Sequence, residues 1–83
     1  MEKSIYTREY AAVTQLLKVL RKEAGMTQVE LGEVLGQSQS FVTKFERGER
    51  RLDIVQLRTL CHKLGVTLPQ FVKRLEAALA KSK

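Results

Sequence analysis

The stretch SQSFVTKFERGERR, residues 38–51, concentrates side chains that donate and accept hydrogen bonds, and it ends in a cluster of arginines. Gln39 and Ser40 are followed three or four residues later by Thr43 and Lys44, so a helix would place all four on one side. Their amide, hydroxyl and ammonium groups could then bind one ligand. A surface helix without a ligand could carry the same residues, so the rest of the chain must decide between these interpretations.

The sequence lacks the side-chain arrangements that are typical of enzymes. It has no Ser/His/Asp constellation, no paired catalytic carboxylates and no glycine-rich phosphate loop. Cys61 and His62 are adjacent, so a helix would turn them about 100° apart and they could not hold one metal ion together. We interpret Cys61 as a small core residue and His62 as a surface residue. The protein is therefore predicted not to be an enzyme and to need no metal or cofactor.

Length and charge restrict the possible partners. A chain of 83 residues can form one domain at most, residues 1–83. The 15 Lys and Arg against 9 Asp and Glu give a net charge of +6, which favours a polyanion such as nucleic acid or an anionic membrane. No apolar run approaches the roughly 20 residues of a membrane-spanning helix, and the N-terminus has no signal-peptide centre. A cytoplasmic protein without a membrane partner is predicted.

Apolar periodicity and capping residues predict five helices and no strand, an all-α fold. The first helix is expected over about residues 7–24, with leucines at spacings of three and four, and Gly25 ends it. The fourth is expected over about 54–64 with Asp53 as its cap, and the fifth begins at the capping residue Thr67. Because the basic residues are spread over several capped helices, a single amphipathic helix lying on a membrane is disfavoured.

The two middle helices are short and closely spaced. Thr27 and Glu30 form the pattern of a capping box at the start of the second helix, which ends at Gly36. Ser38 caps the third helix, expected over about 39–47. The gap of about three residues between these helices is typical of a helix-turn-helix.

Three segments, in this order and at short spacing, carry a resemblance to a known family: AGMTQVELGEVLG, SQSFVTKFERGER and LGVTLPQF. The chain resembles the helix-turn-helix domain of phage repressors, Cro proteins and their bacterial relatives, the Xre-type regulators, over about residues 16–72. The resemblance implies a five-helix, lambda-repressor-like DNA-binding domain with its helix-turn-helix at about 27–47. Gly32 stands where an alanine is usual, and we expect another helix to approach closely there. Residues 1–9 lie outside the resemblance.

The resemblance also implies which side chains meet DNA, since the third helix of such domains enters the major groove. Glutamine can pair with adenine, lysine with guanine, and threonine can contact a thymine methyl group. The implied base contacts are Gln39, Ser40, Thr43 and Lys44. The implied phosphate contacts, which position the protein without reading sequence, are Thr27, Gln28, Ser38, Arg47, Arg50 and Arg51.

Four further residues of this region have expected roles in the fold. Val42 and Phe45, three residues apart, are interpreted as core. Phe41 could pack at the edge of the turn or contact a sugar or a thymine methyl. An acid at Glu46 would repel phosphate, and in the family the matching acid pairs with a basic residue of the first helix. That position is occupied by Arg21, so a structural ion pair is implied.

The predicted function is that of a sequence-specific, double-stranded DNA-binding transcriptional regulator, a repressor that binds a palindromic operator as a homodimer. The fifth helix carries more apolar surface than a small bundle needs, so a dimer interface is predicted at Phe71, Leu75 and Leu79. The competing possibility is that this helix folds back as a fifth core helix. The alternative function is a protein-interaction module or an antitoxin-type subunit that acts through a protein partner.

Overall fold

The computed structural model describes residues 8–81 and places them in five α-helices, with no strand in that range. The helices are α1 (Arg8–Glu23), α2 (Gln28–Leu35), α3 (Gln39–Glu46), α4 (Ile54–Lys63) and α5 (Leu68–Lys81). The predicted all-α, five-helix architecture is confirmed, and the predicted helix ends agree to within a residue or so. The predicted start of α1 at Thr7 lies outside the described residues.

Local hydrogen bonds define where the helices begin and end. At the start of α2 the Thr27 hydroxyl accepts from the Glu30 N–H at 3.1 Å, and the Glu30 carboxylate accepts from the Thr27 N–H at 2.8 Å. Asp53 and Gln56 form the same capping box at α4. Gly36 ends α2 at φ 70°, a left-handed conformation that costs glycine little because it has no Cβ. These contacts are local, which is why the sequence predicts them well.

One hydrophobic core lies between the five helices. Its largest members are Phe45 and Phe71, each 1% exposed. The other buried apolar residues are Leu16, Leu17, Leu20, Leu31, Val42, Leu60, Cys61 and Leu64. The assignments of Val42, Phe45 and Cys61 to the core are therefore confirmed. None of the described helices is both long enough and apolar enough to cross a membrane.

The structure corrects the prediction that Phe71 forms part of a dimer interface. Its ring is buried because α5 folds back against α1 and α4, so that the first turn of α5 closes the core. Leu75 is half-buried and also packs against this core. The N-terminal half of α5 therefore completes the bundle as a fifth core helix, which was the competing possibility.

A second correction concerns the close approach at Gly32. The neighbour is not another helix but the backbone of the turn between α2 and α3. A Cβ atom at position 32 would lie 3.0 Å from the carbonyl oxygens of Gln37 and Ser38. Since real Cβ contacts are rarely that short, glycine allows the turn to lie directly against α2.

Candidate nucleic-acid interface

The α3 helix divides its residues between the core and an open surface. Val42 is 0% exposed and Phe45 1% exposed, and together they anchor α3 to the other helices. Three of the four residues predicted to contact bases, Gln39, Ser40 and Lys44, are exposed. The fourth, Thr43, is half-buried. The three-residue turn 36–38 joins α3 to α2, so the two helices form a helix-turn-helix unit.

Arg21 and Glu46 form a buried, two-pronged ion pair between α1 and α3. The Arg21 Nε donates to Glu46 Oε2 at 2.6 Å and Nη2 donates to Oε1 at 3.2 Å. Their side chains are only 8% and 4% exposed. Arg21 Nη1 also donates to the Met26 carbonyl oxygen at 2.9 Å, which ties the end of α1 to the start of α2. This ion pair explains why the acidic residue Glu46 occurs in a region whose other charged residues favour an anionic partner.

Two polar residues extend this ion pair towards the surface of α3. Gln28 Nε2 donates to Glu46 Oε1 at 2.9 Å, and the Thr43 hydroxyl donates to Gln28 Oε1 at 2.9 Å. The predicted phosphate contact Gln28 and the predicted base contact Thr43 are thus bonded to each other. Sequence reasoning missed this link because 15 residues separate the two and no periodic pattern connects them.

Ser38 and Thr27 cap the two helices of the unit. The Ser38 hydroxyl oxygen accepts from the Phe41 N–H at 3.2 Å, and Thr27 accepts from Glu30 as described above. In both caps the hydroxyl oxygen is the acceptor, so the cap does not use the hydroxyl hydrogen. Both side chains are exposed at a helix N-terminus, where the backbone dipoles favour an anion.

The aromatic ring of Phe41 holds one side of the loop that follows α3. The Arg50 guanidinium lies 4.9 Å from the centre of the Phe41 ring, and that ring packs edge-to-face on Phe45 with centroids 5.6 Å apart. Of the two roles expected for Phe41, the structure shows packing at the edge of the turn. Stacking on a ring leaves the in-plane N–H groups of a guanidinium available to other partners.

Tyr10 of α1 holds the same loop from the other side. Its hydroxyl donates to the Arg50 carbonyl oxygen at 3.0 Å, and the Arg51 guanidinium lies 4.4 Å from the centre of its ring. Sequence reasoning did not anticipate this role of Tyr10. The contact spans 40 residues, and the sequence carries no signal for it beyond the presence of an aromatic residue early in α1.

Arg47 completes the basic cluster at the end of α3. It approaches Glu49 at 3.8 Å, but both side chains are largely exposed, so this ion pair is weak. Within residues 8–81, no group of three or more His, Cys, Asp or Glu side chains is arranged to hold a metal ion. The surface formed by Gln39, Ser40, Lys44 and the three arginines is therefore suited to hydrogen bonding with an anionic partner.

Comparisons with known proteins agree with this geometry. The model of a helix-turn-helix family matches residues 17–71. A helix-turn-helix-type transcriptional regulator of Sinorhizobium fredii, y4dJ, is 38% identical over 53 residues, which are 64% of this chain and 69% of that protein. An XRE-family-like protein from Pseudomonas syringae superposes with a TM-score of 0.80 at 40% identity, covering 90% of this chain and 92% of the other.

Restriction–modification controller proteins are similar in structure as well. A variant of the controller protein C.Esp1396I has a TM-score of 0.85 at 27% identity, with 93% of this chain and 98% of the other covered. The same controller in a tetramer bound to its natural 35-base-pair operator has a TM-score of 0.78 at 27% identity, with 86% and 93% covered. Together with the family match over most of the chain, these likenesses place the protein in the Xre-type helix-turn-helix family of transcriptional regulators.

Proposed function

We propose that this protein is a repressor that binds a palindromic operator as a homodimer, with α3 in the major groove. The observation that carries the proposal is the division of α3 into a buried apolar side and an exposed side with amide, hydroxyl and ammonium groups. These groups match the hydrogen-bonding pattern that base edges present in the major groove.

The backbone of the DNA would be bound on both sides of α3. The exposed caps Thr27 and Ser38 lie at helix N-termini, and Arg47, Arg50 and Arg51 follow α3. Gln28 is bonded to Glu46 and Thr43, so we assign it mainly to positioning Thr43, with its backbone N–H at the start of α2 facing phosphate.

The dimer is proposed to use an apolar edge of α5. At about 100° per residue, Leu75, Leu79 and Val72 lie about 40°, 80° and 100° around the helix from the buried Phe71. Val72 is 43% exposed, and Leu75 and Leu79 are half-buried. The interface would therefore contain Val72 in place of Phe71. The operator-bound tetramer of the similar controller protein supports an assembly built from more than one copy.

Selection of bound duplexes from a random pool tests the proposal. We expect enrichment of an inverted repeat whose half-sites lie about one helical turn, 10–10.5 base pairs, apart. Affinity should fall steeply with salt, with a log–log slope near −0.9 per phosphate contact. Failure to enrich any sequence, with binding equal to that of random DNA, would contradict a sequence-specific regulator.

Two variants separate base reading from phosphate contact. Lys44→Ala should cost about 1–3 kcal/mol on the selected operator and little on random DNA, because it removes a contact with a base edge. Arg50→Ala should weaken binding to both duplexes about equally and should reduce the salt slope by roughly one. Equal losses on both duplexes for Lys44→Ala would assign that residue to the phosphates.

A further inference from the structure

We propose that Thr43 contacts its base only as a hydrogen-bond acceptor, and that Gln28 imposes this polarity. The inference rests on the proposed function, since it assumes that α3 lies in the major groove. It goes beyond that function by naming the chemical group that Thr43 recognises, an exocyclic amino group.

The chain of bonds begins at a group whose polarity cannot change. Glu46 is an ionised carboxylate held by Arg21, which donates to both of its oxygens at 2.6 and 3.2 Å. A carboxylate in such an ion pair accepts hydrogen bonds and donates none. Any further polar neighbour of Glu46 must therefore present a donor to it.

That requirement sets the orientation of the Gln28 amide. Its nitrogen lies 2.9 Å from Glu46 Oε1. Rotating the amide by half a turn would place its oxygen against the carboxylate oxygen, two acceptors facing each other. The nitrogen therefore faces Glu46, and the amide oxygen faces the other way, towards Thr43.

The orientation of Gln28 in turn decides what the Thr43 hydroxyl does. The Gln28 oxygen lies 2.9 Å from Thr43 Oγ1 and can only accept, so the hydroxyl must donate to it. A free hydroxyl has one hydrogen and two lone pairs and can either donate or accept. Here the hydrogen is committed inside the protein, and the lone pairs are left for a ligand.

An acceptor on α3 distinguishes two classes of base. In the major groove, adenine N6 and cytosine N4 are donors, whereas guanine O6 and N7 and thymine O4 are acceptors. The nucleotide that Thr43 contacts should therefore be adenine or cytosine, and guanine or thymine should be disfavoured there. This differs from the thymine methyl contact that the residue type alone suggests.

The experiment combines selection with base analogues. Duplexes are selected with the wild-type protein and with Thr43→Val, which has a similar shape but no hydroxyl. The proposal expects one nucleotide per half-site to be adenine or cytosine with the wild type and to lose that preference with the variant. Thr43→Ser, which keeps the hydroxyl, should retain the preference.

At that nucleotide, an analogue lacking the exocyclic amino group should weaken wild-type binding by about fivefold, the value of one ordinary hydrogen bond. The same analogue should have no such effect on Thr43→Val, which controls for changes in base pairing. If the nucleotide is adenine, a duplex with 7-deazaadenine at that nucleotide should bind the protein equally well. The reason is that Thr43 does not use the N7 acceptor of adenine. Gln28→Leu should admit guanine or thymine at that nucleotide, because the hydroxyl can then donate.

The possible failures are distinct from one another. Enrichment of guanine or thymine at the nucleotide that responds to Thr43→Val would overturn the acceptor assignment while leaving the operator-binding function intact. A selected operator at which no nucleotide responds to Thr43→Val would overturn it as well. If no operator is selected at all, the proposed function itself fails. Circular dichroism of each variant checks that it is folded.

Discussion

At the scale of single residues, the buried ion pair between Arg21 and Glu46 holds α3 to α1. Breaking such a pair by removing one partner leaves an uncompensated buried charge, which typically costs about 3–5 kcal/mol. We expect a loss near the lower end of this range for Arg21→Met and for Glu46→Gln in urea unfolding. The double substitution should cost less than the sum of the single ones.

Arg47→Met serves as the matched control for this experiment. Its ion pair with Glu49 is long, at 3.8 Å, and exposed, so the expected loss is below about 1 kcal/mol. Additive losses for Arg21→Met and Glu46→Gln would be evidence against an energetic coupling between the two side chains.

The buried thiol of Cys61 makes a prediction about pH. Burial raises the pKa of Cys61 from 9.0 to about 11, so the folded protein keeps the thiol protonated where the unfolded chain ionises it. The resulting stabilisation is fully present below pH 9 and is lost as the pH rises from 9 to 11. The free energy of unfolding should therefore fall over this range by up to about 2–3 kcal/mol from this group.

The variant Cys61→Ala isolates that effect from the other groups that titrate at alkaline pH. It should be less stable at neutral pH because it leaves a cavity. The difference in unfolding free energy between the two proteins should then shrink above pH 9. Parallel pH profiles from pH 7 to 10.5 would contradict the expected thiol contribution.

At the scale of helices and turns, Gly32 allows the turn to pack on α2. Any larger side chain must displace the backbone of Gln37 and Ser38, which cannot move as a flexible side chain would. We expect Gly32→Val to reduce the free energy of unfolding by about 1–3 kcal/mol more than Glu33→Val does. Glu33 is exposed on the same helix, so it introduces the same branched residue without this contact. Equal thermal stability of the two variants would show that the turn can shift freely.

The helix-turn-helix also indicates what sequence can and cannot predict. The caps at Thr27, Ser38 and Asp53 were predictable because each bond joins residues three apart. The contact between Gln28 and Thr43 was not, because it depends on how two helices are oriented in space. The family resemblance predicted a DNA contact for each of the two residues, but only the fold shows that they are bonded to each other.

The fifth helix is a similar case. The spacing of its apolar residues predicted which face of α5 packs against other residues. Periodicity alone could not predict how much of that face the core of the same domain buries. The core covers Phe71 completely and leaves Val72 exposed. The prediction therefore assigned to the interface a residue, Phe71, that belongs to the core of the domain.

At the scale of the whole molecule, the proposed dimer depends on the edge of α5 that contains Val72. Val72→Glu should give a folded monomer in sedimentation velocity at micromolar concentration without DNA, because the charge would be buried at the interface. Ala80→Glu places the same charge at an exposed position about 80° around the helix from Val72, and this variant should remain dimeric. A wild-type protein that stays monomeric under these conditions would contradict a dimer formed before DNA binding.

Leu75→Glu adds a second observation about the same edge. Because Leu75 packs against the core, we expect this substitution to lower thermal stability as well as dimerisation. Loss of the dimer without any loss of stability would place Leu75 wholly in the interface.

The contact of Tyr10 with the arginine loop has a consequence for where the functional unit begins. The family match starts at residue 17, after Tyr10, and a fragment trimmed to that match would keep α2, α3 and their capping residues. It would lack the hydroxyl that holds the Arg50 carbonyl and the ring that lies against Arg51. The segment that the family match covers is therefore shorter than the segment that contains both aromatic contacts to the arginine loop.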